Sequence, residues 1–173
     1  DDALRSAERM IADGVDIIDV GGESTRPGST RVAADIEAER VVPVVAAIAR
    51  RFDTAVSVDT SKARVAAAAI DAGAEIINDI SGLRWEPELA SVAARSDAGL
   101  ILMHSRGEFE TMHSVPPVDD VLREVAAGLN TAIAAARAAG VSDDRLAVDI
   151  GLGFGKTRGQ NLEPLADRKS TRL

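Results

Sequence analysis

The sequence predicts an α/β protein with a parallel sheet, specifically part of a (β/α)8 TIM barrel. Short β-branched runs alternate with Ala-rich helical segments, and Gly, Asn, Asp or Ser follows each run. Polar residues end nearly every run, which favours a barrel over a doubly wound sheet because barrel enzymes build their sites from several strand ends on one rim. About five of the eight βα units of a barrel are present. We therefore expect the N- and C-terminal strands to be missing from this chain.

The same patterns place the individual elements. Strands are predicted at Val15–Val20, Thr54–Val58, Glu75–Asn78, Leu100–Met103 and Leu146–Asp149. Each is mostly apolar, as expected where both faces of a strand are covered. Gly14 should end the first helix, and Ser61 should cap a helix that runs to Gly73. Pro43 predicts a kink or a late start in the helical stretch Asp35–Arg51.

Composition and charge narrow the class of protein. Of the 173 residues, 46% are hydrophobic and 28% charged, a balance typical of a folded chain. A formal net charge of −8 argues against binding nucleic acid or an anionic membrane surface, since both need a basic face. There is no cysteine, and no stretch reaches the roughly 18 apolar residues of a membrane span. We expect a cytoplasmic protein that acts on small molecules.

We expect one partial domain over residues 1–166. After Ala166 the sequence changes abruptly to DRKSTRL, which corresponds to one reading frame of a common sequencing-adapter oligonucleotide. Residues 167–173 are therefore interpreted as a non-native tail, the alternative being the basic end of a helix.

The most informative segment, residues 21–28 (GGESTRPG), follows the first strand. Its two glycines permit a sharp exit from the sheet, and its Pro-Gly pair predicts a turn, so Thr25 and Arg26 lie on a loop. A hydroxyl beside a guanidinium suits a pyrophosphate. The alternative is an ordinary βα loop in which Arg26 is solvated or pairs with Glu23.

Polar side chains also end three further strands. Asp59, Asn78 and Asp149 would converge on one rim if the barrel assignment holds. Carboxylates and an amide facing a pocket can bind a heterocycle that carries several N–H donors, with Asp149 accepting two of them. The alternative for Asp59 is a helix cap, a role that suits Asp79 better than Asn78.

The glycine-rich segment at residues 151–156 (GLGFGK) lacks the Walker spacing, so nucleotide binding is not expected. Within it, Phe154 is either core filler or the wall of a site for a flat substrate. Neither His104 nor His113 has a metal partner at ligand spacing, which argues against zinc. His104 follows a strand and could face the site, although a hydrogen-bonded structural histidine is the commoner outcome.

In these motifs the chain resembles dihydropteroate synthases. The matching segments occur in family order: DVGGESTRPG at 19–28, SVDTSK at 57–62, INDI at 77–80, LMH at 102–104 and GLGFGKT at 151–157. The resemblance implies condensation of 6-hydroxymethyl-7,8-dihydropterin pyrophosphate with p-aminobenzoate, giving 7,8-dihydropteroate and pyrophosphate for folate biosynthesis. It also implies Mg²⁺ as cofactor and a homodimer when the chain is full length.

The resemblance assigns the pterin pocket first. The positions matching Asp59, Asn78 and Asp149 hold the dihydropterin, and those matching Ile80 and Met103 line the pocket.

It assigns the reacting groups next. The loop matching Thr25, Arg26 and Pro27 closes over the pyrophosphate and the p-aminobenzoate, whose ring packs near Phe154. Thr25, Arg26 and Asp59 are the catalytic candidates. The family's Mg²⁺ ligand is an Asn on the loop after the first barrel strand, so no metal ligand is expected in this chain. The implied reaction is a dissociative substitution without a side-chain nucleophile.

Two departures from the family pattern stand out. Ile150 occupies a position that is usually Pro, which predicts a local loss of stiffness. The S-R-K and R-x-H motifs of the last two barrel strands have no counterpart, so we expect the chain alone to be inactive.

The alternatives to an active synthase are an inactive pterin-binding fragment and a corrinoid-linked methyltetrahydrofolate methyltransferase domain, which would not need the GGESTRPG loop. That loop and the Phe154 region are intact, which suggests sulfonamide sensitivity.

Overall fold

A computed structural model describes residues 2–166 as five parallel strands with helices packed on one face of the sheet. Residues 167–173, predicted to be a non-native tail, lie outside this range. The main elements are α1 (Asp2–Ala12), β1 (Ile17–Gly21), α2 (Ala34–Arg51), β2 (Ala55–Asp59), α3 (Ala63–Asp71), β3 (Ile76–Asp79), α4 (Glu88–Ser96), β4 (Gly99–Met103), α5 (Val121–Ala138), β5 (Leu146–Asp149) and α6 (Arg158–Ala166).

The strand order decides between the two predicted architectures. The strands lie in the order β1-β2-β3-β4-β5, and every neighbouring pair is parallel. A doubly wound sheet reverses its strand order at a switch point, whereas a barrel adds each strand beside the previous one. The predicted α/β fold, a partial (β/α)8 barrel, is confirmed.

The two faces of the sheet differ in burial because side chains alternate along each strand. One face packs against the helices and is almost fully buried, as at Val58, Ile77 and Leu102. The expectation that both faces of every strand are covered is wrong for β1 and β5. In these edge strands most residues are exposed, because each has a neighbouring strand on one side only within residues 2–166.

The helix ends follow the predicted signals in part. Gly14 follows α1 with φ +88°, a conformation that glycine adopts without steric cost. The late start predicted from Pro43 is wrong, since α2 begins at Ala34 and continues through the proline. The predicted Ser61 cap is also wrong: α3 begins at Ala63 after the N-cap residue Lys62, and the Ala63 N–H donates instead to Glu86 Oε2 at 2.8 Å. Across residues 2–166, no helix has the length and apolarity needed to cross a membrane.

Ile77→Ala should lower the free energy of unfolding by about 3–4 kcal/mol, because the side chain is fully buried in the middle strand and its loss leaves a cavity. Ile17→Ala is the matched control on edge strand β1. That side chain is 45% exposed, so its loss should cost less than about 1 kcal/mol. Urea unfolding followed by circular dichroism measures both changes. Equal losses would contradict the open edge.

Candidate functional site

The carboxyl ends of β1, β2 and β3 bring polar side chains together on the open face of the sheet. The strand register pairs Gly21 with Asp59 and Asp59 with Asn78. The Asn78 amide donates a hydrogen bond to Asp19 Oδ2 at 3.2 Å. A Cβ at position 21 would lie 3.3 Å from Asp59 Oδ2, so Gly21 leaves room for that carboxyl group. The predicted meeting of Asp59 and Asn78 on one rim therefore occurs.

Asp59 is the most electrostatically perturbed group of this rim. Burial, followed by the negative charges of Asp19 and Glu37, raises the pKa of Asp59 to about 7. The helix-cap alternative fails, because the N-cap residue of α3 is Lys62 and the first N–H of that helix, at Ala63, donates to Glu86 rather than to Asp59. Near neutral pH the Asp59 carboxyl can therefore accept or donate a hydrogen bond.

Asp79, the next residue after Asn78, has a structural position. Its side chain is almost fully buried, and its two oxygens accept from the backbone N–H groups of Ser81 at 2.8 Å and Leu83 at 2.6 Å. Burial raises the pKa of Asp79, while the hydrogen bond from Leu83 lowers it. Asp79 thus stabilises the turn after β3, and the polar side chain that faces the rim is Asn78.

An apolar wall borders the rim. Ile80 and Met103 are buried in one small cluster, and Phe154 packs against it half-buried. The other members of this cluster are Trp85, Phe109 and Met112. The sequence placed Ile80, Met103 and Phe154 at the site but missed the other three, because they come from segments that contain no family motif.

Asp149 is on the same face of the sheet but remains open to solvent. It pairs in register with Met103, and its Oδ1 accepts from the N–H of Gly151 at 2.8 Å. Its side chain is exposed because β5 is an edge strand within residues 2–166. Ile150, the residue that departs from the family pattern, packs against α5.

The glycine-rich segment after β5 closes around Lys156. The Lys156 ammonium donates to the carbonyls of Gly151 at 2.9 Å, Phe154 at 3.2 Å and His104 at 3.3 Å. Burial lowers the pKa of Lys156 to about 8. The side chain of this lysine is thus held by main-chain carbonyls of the glycine-rich segment and of His104.

The loop between β1 and α2 reaches across the rim to the apolar wall. We call residues 24–31 the Thr25 loop. The carbonyl of Thr25 accepts from His113 Nε2 at 2.6 Å, and the His113 ring lies 5.7 Å from the Phe154 ring. This contact connects two predicted substrate-binding residues through a histidine to which the sequence assigned no role.

Arg26 and Pro27 are exposed at the tip of this loop, where Gly28 turns the chain with φ +84°. Of the two alternatives for Arg26, the ion pair with Glu23 is wrong because Glu23 pairs with Lys62 instead, and the exposed Arg26 agrees with the solvated side chain. The Arg26 guanidinium has no ion pair within residues 2–166 and can meet an anion from solvent.

His104 is buried, and its Nδ1 has no hydrogen-bond partner in the part of the chain that the structure describes. The hydrogen bond expected for a structural histidine is therefore absent at Nδ1. Burial, with the positive charges of Lys156 and Arg84, lowers the pKa of His104 to about 4, so the ring is neutral at pH 7. It borders a cleft of about 630 Å³ between the loop after β4 and α5, beside the rim rather than within it. Among residues 2–166, no three His, Cys, Asp or Glu side chains are grouped to hold a metal ion.

Residues 1–172 match the family described as pterin binding enzyme. The chain belongs to this family.

The dihydropteroate synthase of Escherichia coli K12 is 46% identical over 165 residues, which are 95% of this chain and 58% of that protein. Among solved structures, the Yersinia pestis dihydropteroate synthase with a sulfonamide drug complex has a TM-score of 0.89 and 43% identity, covering 94% of this chain and 59% of that one. The Xanthomonas albilineans dihydropteroate synthase with 4-aminobenzoic acid has a TM-score of 0.88 and 39% identity, covering 95% of this chain and 57% of that one. The chain thus spans a little under 60% of the length of these relatives.

Asp59→Asn tests the electrostatics of the rim. An ordinary Asp has a pKa of 3.8, so between about pH 4 and 7 the folded chain binds one more proton at Asp59 than the unfolded chain. The free energy of unfolding therefore falls as pH rises through that window. The neutral Asn removes this fall, so the variant should match the parent near pH 4 and be more stable by roughly 2 kcal/mol at pH 8.

Urea unfolding of both proteins across this range measures the effect as a difference. The difference is needed because His104 makes stability rise with pH between about 4 and 6.5 in both proteins. A gap that stays constant with pH would show that Asp59 has an ordinary pKa.

Gly151→Ala tests the closure of the glycine-rich segment. A Cβ at position 151 would lie 1.9 Å from the carbonyl oxygen of His104, in addition to the strain of φ +67°. Gly153→Ala is the matched control, since Gly153 has φ +83° but nothing within 4 Å of its added Cβ. We expect losses of roughly 3 kcal/mol or more at position 151 and about 1–2 kcal/mol at position 153 in thermal unfolding. Equal losses would mean that backbone strain alone matters.

Proposed function

We propose that this chain forms the pterin-binding part of a dihydropteroate synthase, which condenses 6-hydroxymethyl-7,8-dihydropterin pyrophosphate with p-aminobenzoate. The observation that carries the proposal is the polar rim of Asp59 and Asn78 beside a loop that presents Thr25 and an exposed Arg26, in a chain of the pterin-binding family. The relatives named above support it, one of them solved with 4-aminobenzoic acid.

The rim suits the pterin ring. A pterin presents several N–H donors and ring acceptors along one edge, and Asn78 supplies both a donor and an acceptor beside the Asp59 carboxyl. Asp149 adds a carboxylate on the same face, and Ile80 and Met103 offer an apolar wall. We assign these five residues to pterin binding.

The Thr25 loop suits the leaving group and the second substrate. Arg26 is exposed, and Glu23 does not neutralise it, so its guanidinium can take a pyrophosphate with the Thr25 hydroxyl beside it. Pro27 fixes the turn next to Arg26. Phe154, which Thr25 reaches through His113, offers a flat apolar surface for the p-aminobenzoate ring.

The charges that develop during the proposed reaction match the charged groups of the site. The bond between the pterin methylene carbon and the pyrophosphate oxygen breaks, and the oxygen keeps the electron pair. Arg26 stabilises the charge that develops on this leaving group. The carboxyl groups of the rim, Asp59 foremost, shield the pterin-stabilised cation until the amine nitrogen attacks, forms the new C–N bond and loses a proton.

Two further expectations rest on the resemblance alone, Mg²⁺ as cofactor and a homodimer of the full-length chain, and the expected cytoplasmic location rests on composition alone. Residues 2–166 contain no group of three His, Cys, Asp or Glu side chains placed for a metal ion. We assign no step of the reaction to the metal.

The corrinoid-linked methyltransferase is less well supported than the synthase. Methyl transfer releases no pyrophosphate, so it gives no use to the exposed Arg26 beside Thr25.

The direct test joins residues 1–166 to the flanking segments of the Escherichia coli relative, giving what we call the complete-barrel protein. It should form dihydropteroate from dihydropterin pyrophosphate and labelled p-aminobenzoate, while the 173-residue chain alone should not. A folded complete-barrel protein without turnover would reject the proposed function, and the inactive-fragment alternative would then stand.

Asp149→Ala and Arg26→Ala should separate pterin binding from catalysis in the complete-barrel protein. The first removes a charged acceptor for the heterocycle and should weaken dihydropterin binding by about 100-fold or more in calorimetry. The second should lower turnover by about 100-fold yet leave affinity for the pterin ring unchanged, because Arg26 faces the leaving group. The opposite pattern would show that the two roles have been exchanged.

A further inference from the structure

Three charged side chains lie buried beneath the Thr25 loop. Lys62 is 6% exposed and Glu37 only 1%. The Lys62 ammonium lies 2.8 Å from Glu23 Oε1 and also contacts Glu37 Oε2. The other oxygen of Glu37 accepts from the Thr60 hydroxyl at 2.6 Å. One ammonium thus serves two carboxylates, one from the loop after β1 and one from α2.

The Glu23 carboxylate also closes the loop. Its Oε1 accepts from the backbone N–H of Val32 as well as from Lys62. Glu23 immediately precedes the Thr25 loop, and Val32 immediately follows it. A single carboxylate oxygen therefore holds both ends of the segment that carries Thr25 and Arg26.

The far side of the loop has a second contact. The Arg31 guanidinium donates to Ser61 Oγ at 3.3 Å and lies 5.1 Å from the Trp85 ring centre and 5.4 Å from that of Phe109. Cation–π contacts of this kind favour a fixed guanidinium position. Both ends of the loop are thereby attached to the segment after β2, next to Asp59.

Stability alone does not account for these buried charges. Moving charges out of water costs free energy that their attraction often fails to recover, and apolar replacements of such groups are often neutral or stabilising. Arg64 and Asp35 already form a surface ion pair between α3 and α2, with both side chains more than half exposed. Such an exposed pair joins the two helices at little cost in desolvation free energy. The charges under the loop instead fix geometry, since each carboxylate can meet the ammonium in few positions.

We propose that Glu23, Lys62 and Glu37 are positioning residues that hold the Thr25 loop over the polar rim. The loop would otherwise sample many conformations, and misplacing a catalytic group by about 1 Å can cost about 100-fold in rate. The identity of the substrate groups that the loop would contact depends on the proposed function. The attachment of the loop does not depend on it.

Hydrogen exchange of the 173-residue chain tests the attachment directly. Glu23→Ala removes the acceptor for Val32 but leaves the Lys62–Glu37 pair intact, so the fold should persist. The amides of Val32 and Ser29 should exchange at least about 10-fold faster, with the β2 and β3 amides unchanged. Glu23→Gln, which keeps an acceptor oxygen, should restore most of the protection, and Arg64→Ala should leave it unaltered. Unchanged exchange in Glu23→Ala overturns the inference.

Kinetics of the complete-barrel protein test the consequence. Glu23→Ala should lower kcat/KM about 10- to 100-fold while affinity for 6-hydroxymethyl-7,8-dihydropterin, which has no pyrophosphate, changes less than about twofold. Glu23→Gln should recover most of the loss. A loosened loop with unaltered kcat/KM would contradict the positioning role. If the loop loosens but the unmutated complete-barrel protein has no turnover, the attachment stands and the proposed function fails.

Discussion

The register of the parallel strands is the constraint on which the candidate site depends. Pairing Gly21 with Asp59, and Asp59 with Asn78, places both polar side chains at the same height on the open face. Because strand side chains alternate, a slip of one residue would turn Asp59 toward the helices and bring Val58 to the rim. The fully buried Val58 and Ile77 oppose such a slip, since each would lose its packing. Packing of the apolar core against the helices thus determines which polar side chains lie on the opposite face of the sheet.

The loop and the rim are coupled through shared carboxylates. Glu37 and Glu23, which hold the ammonium under the Thr25 loop, also contribute to the raised pKa of Asp59. Glu37 has the larger effect on Asp59 and Glu23 the smallest of the four charges, so a change at Glu37 would act twice, on where the loop lies and on how strongly Asp59 holds its proton. Arg26 and Asp59 belong to different segments, yet the same pair of carboxylates influences the position of one and the charge of the other.

The sequence was most informative where local pattern determines structure. Alternating strand and helix signals located all five strands, and the polar strand ends identified Asp59 and Asn78 as rim residues. The buried cluster was missed because its contacts join residues far apart in the chain, such as Glu23 and Lys62. One signal was available: Glu37 shares a helix face with Val41, Val45 and Ile48, and a carboxylate on an apolar stripe requires a buried partner. The partner itself could not be chosen from the sequence, because Lys62 resembles any helix-end lysine.

Asp149 shows how far the chemistry of a residue depends on its surroundings. It occupies the predicted face and register, but its carboxylate is exposed at an edge strand and bonded to the N–H of Gly151. In water, a charge-assisted contact between this carboxylate and a pterin competes with hydration and adds little. In a covered pocket of lower dielectric, the same contact becomes strong. Asp59 is already in such a setting, as its raised pKa shows, so the two carboxylates cannot contribute equally in the chain as it stands. Covering the edge of β5 that is open within residues 2–166 is therefore what would turn Asp149 from a solvated side chain into a binding group.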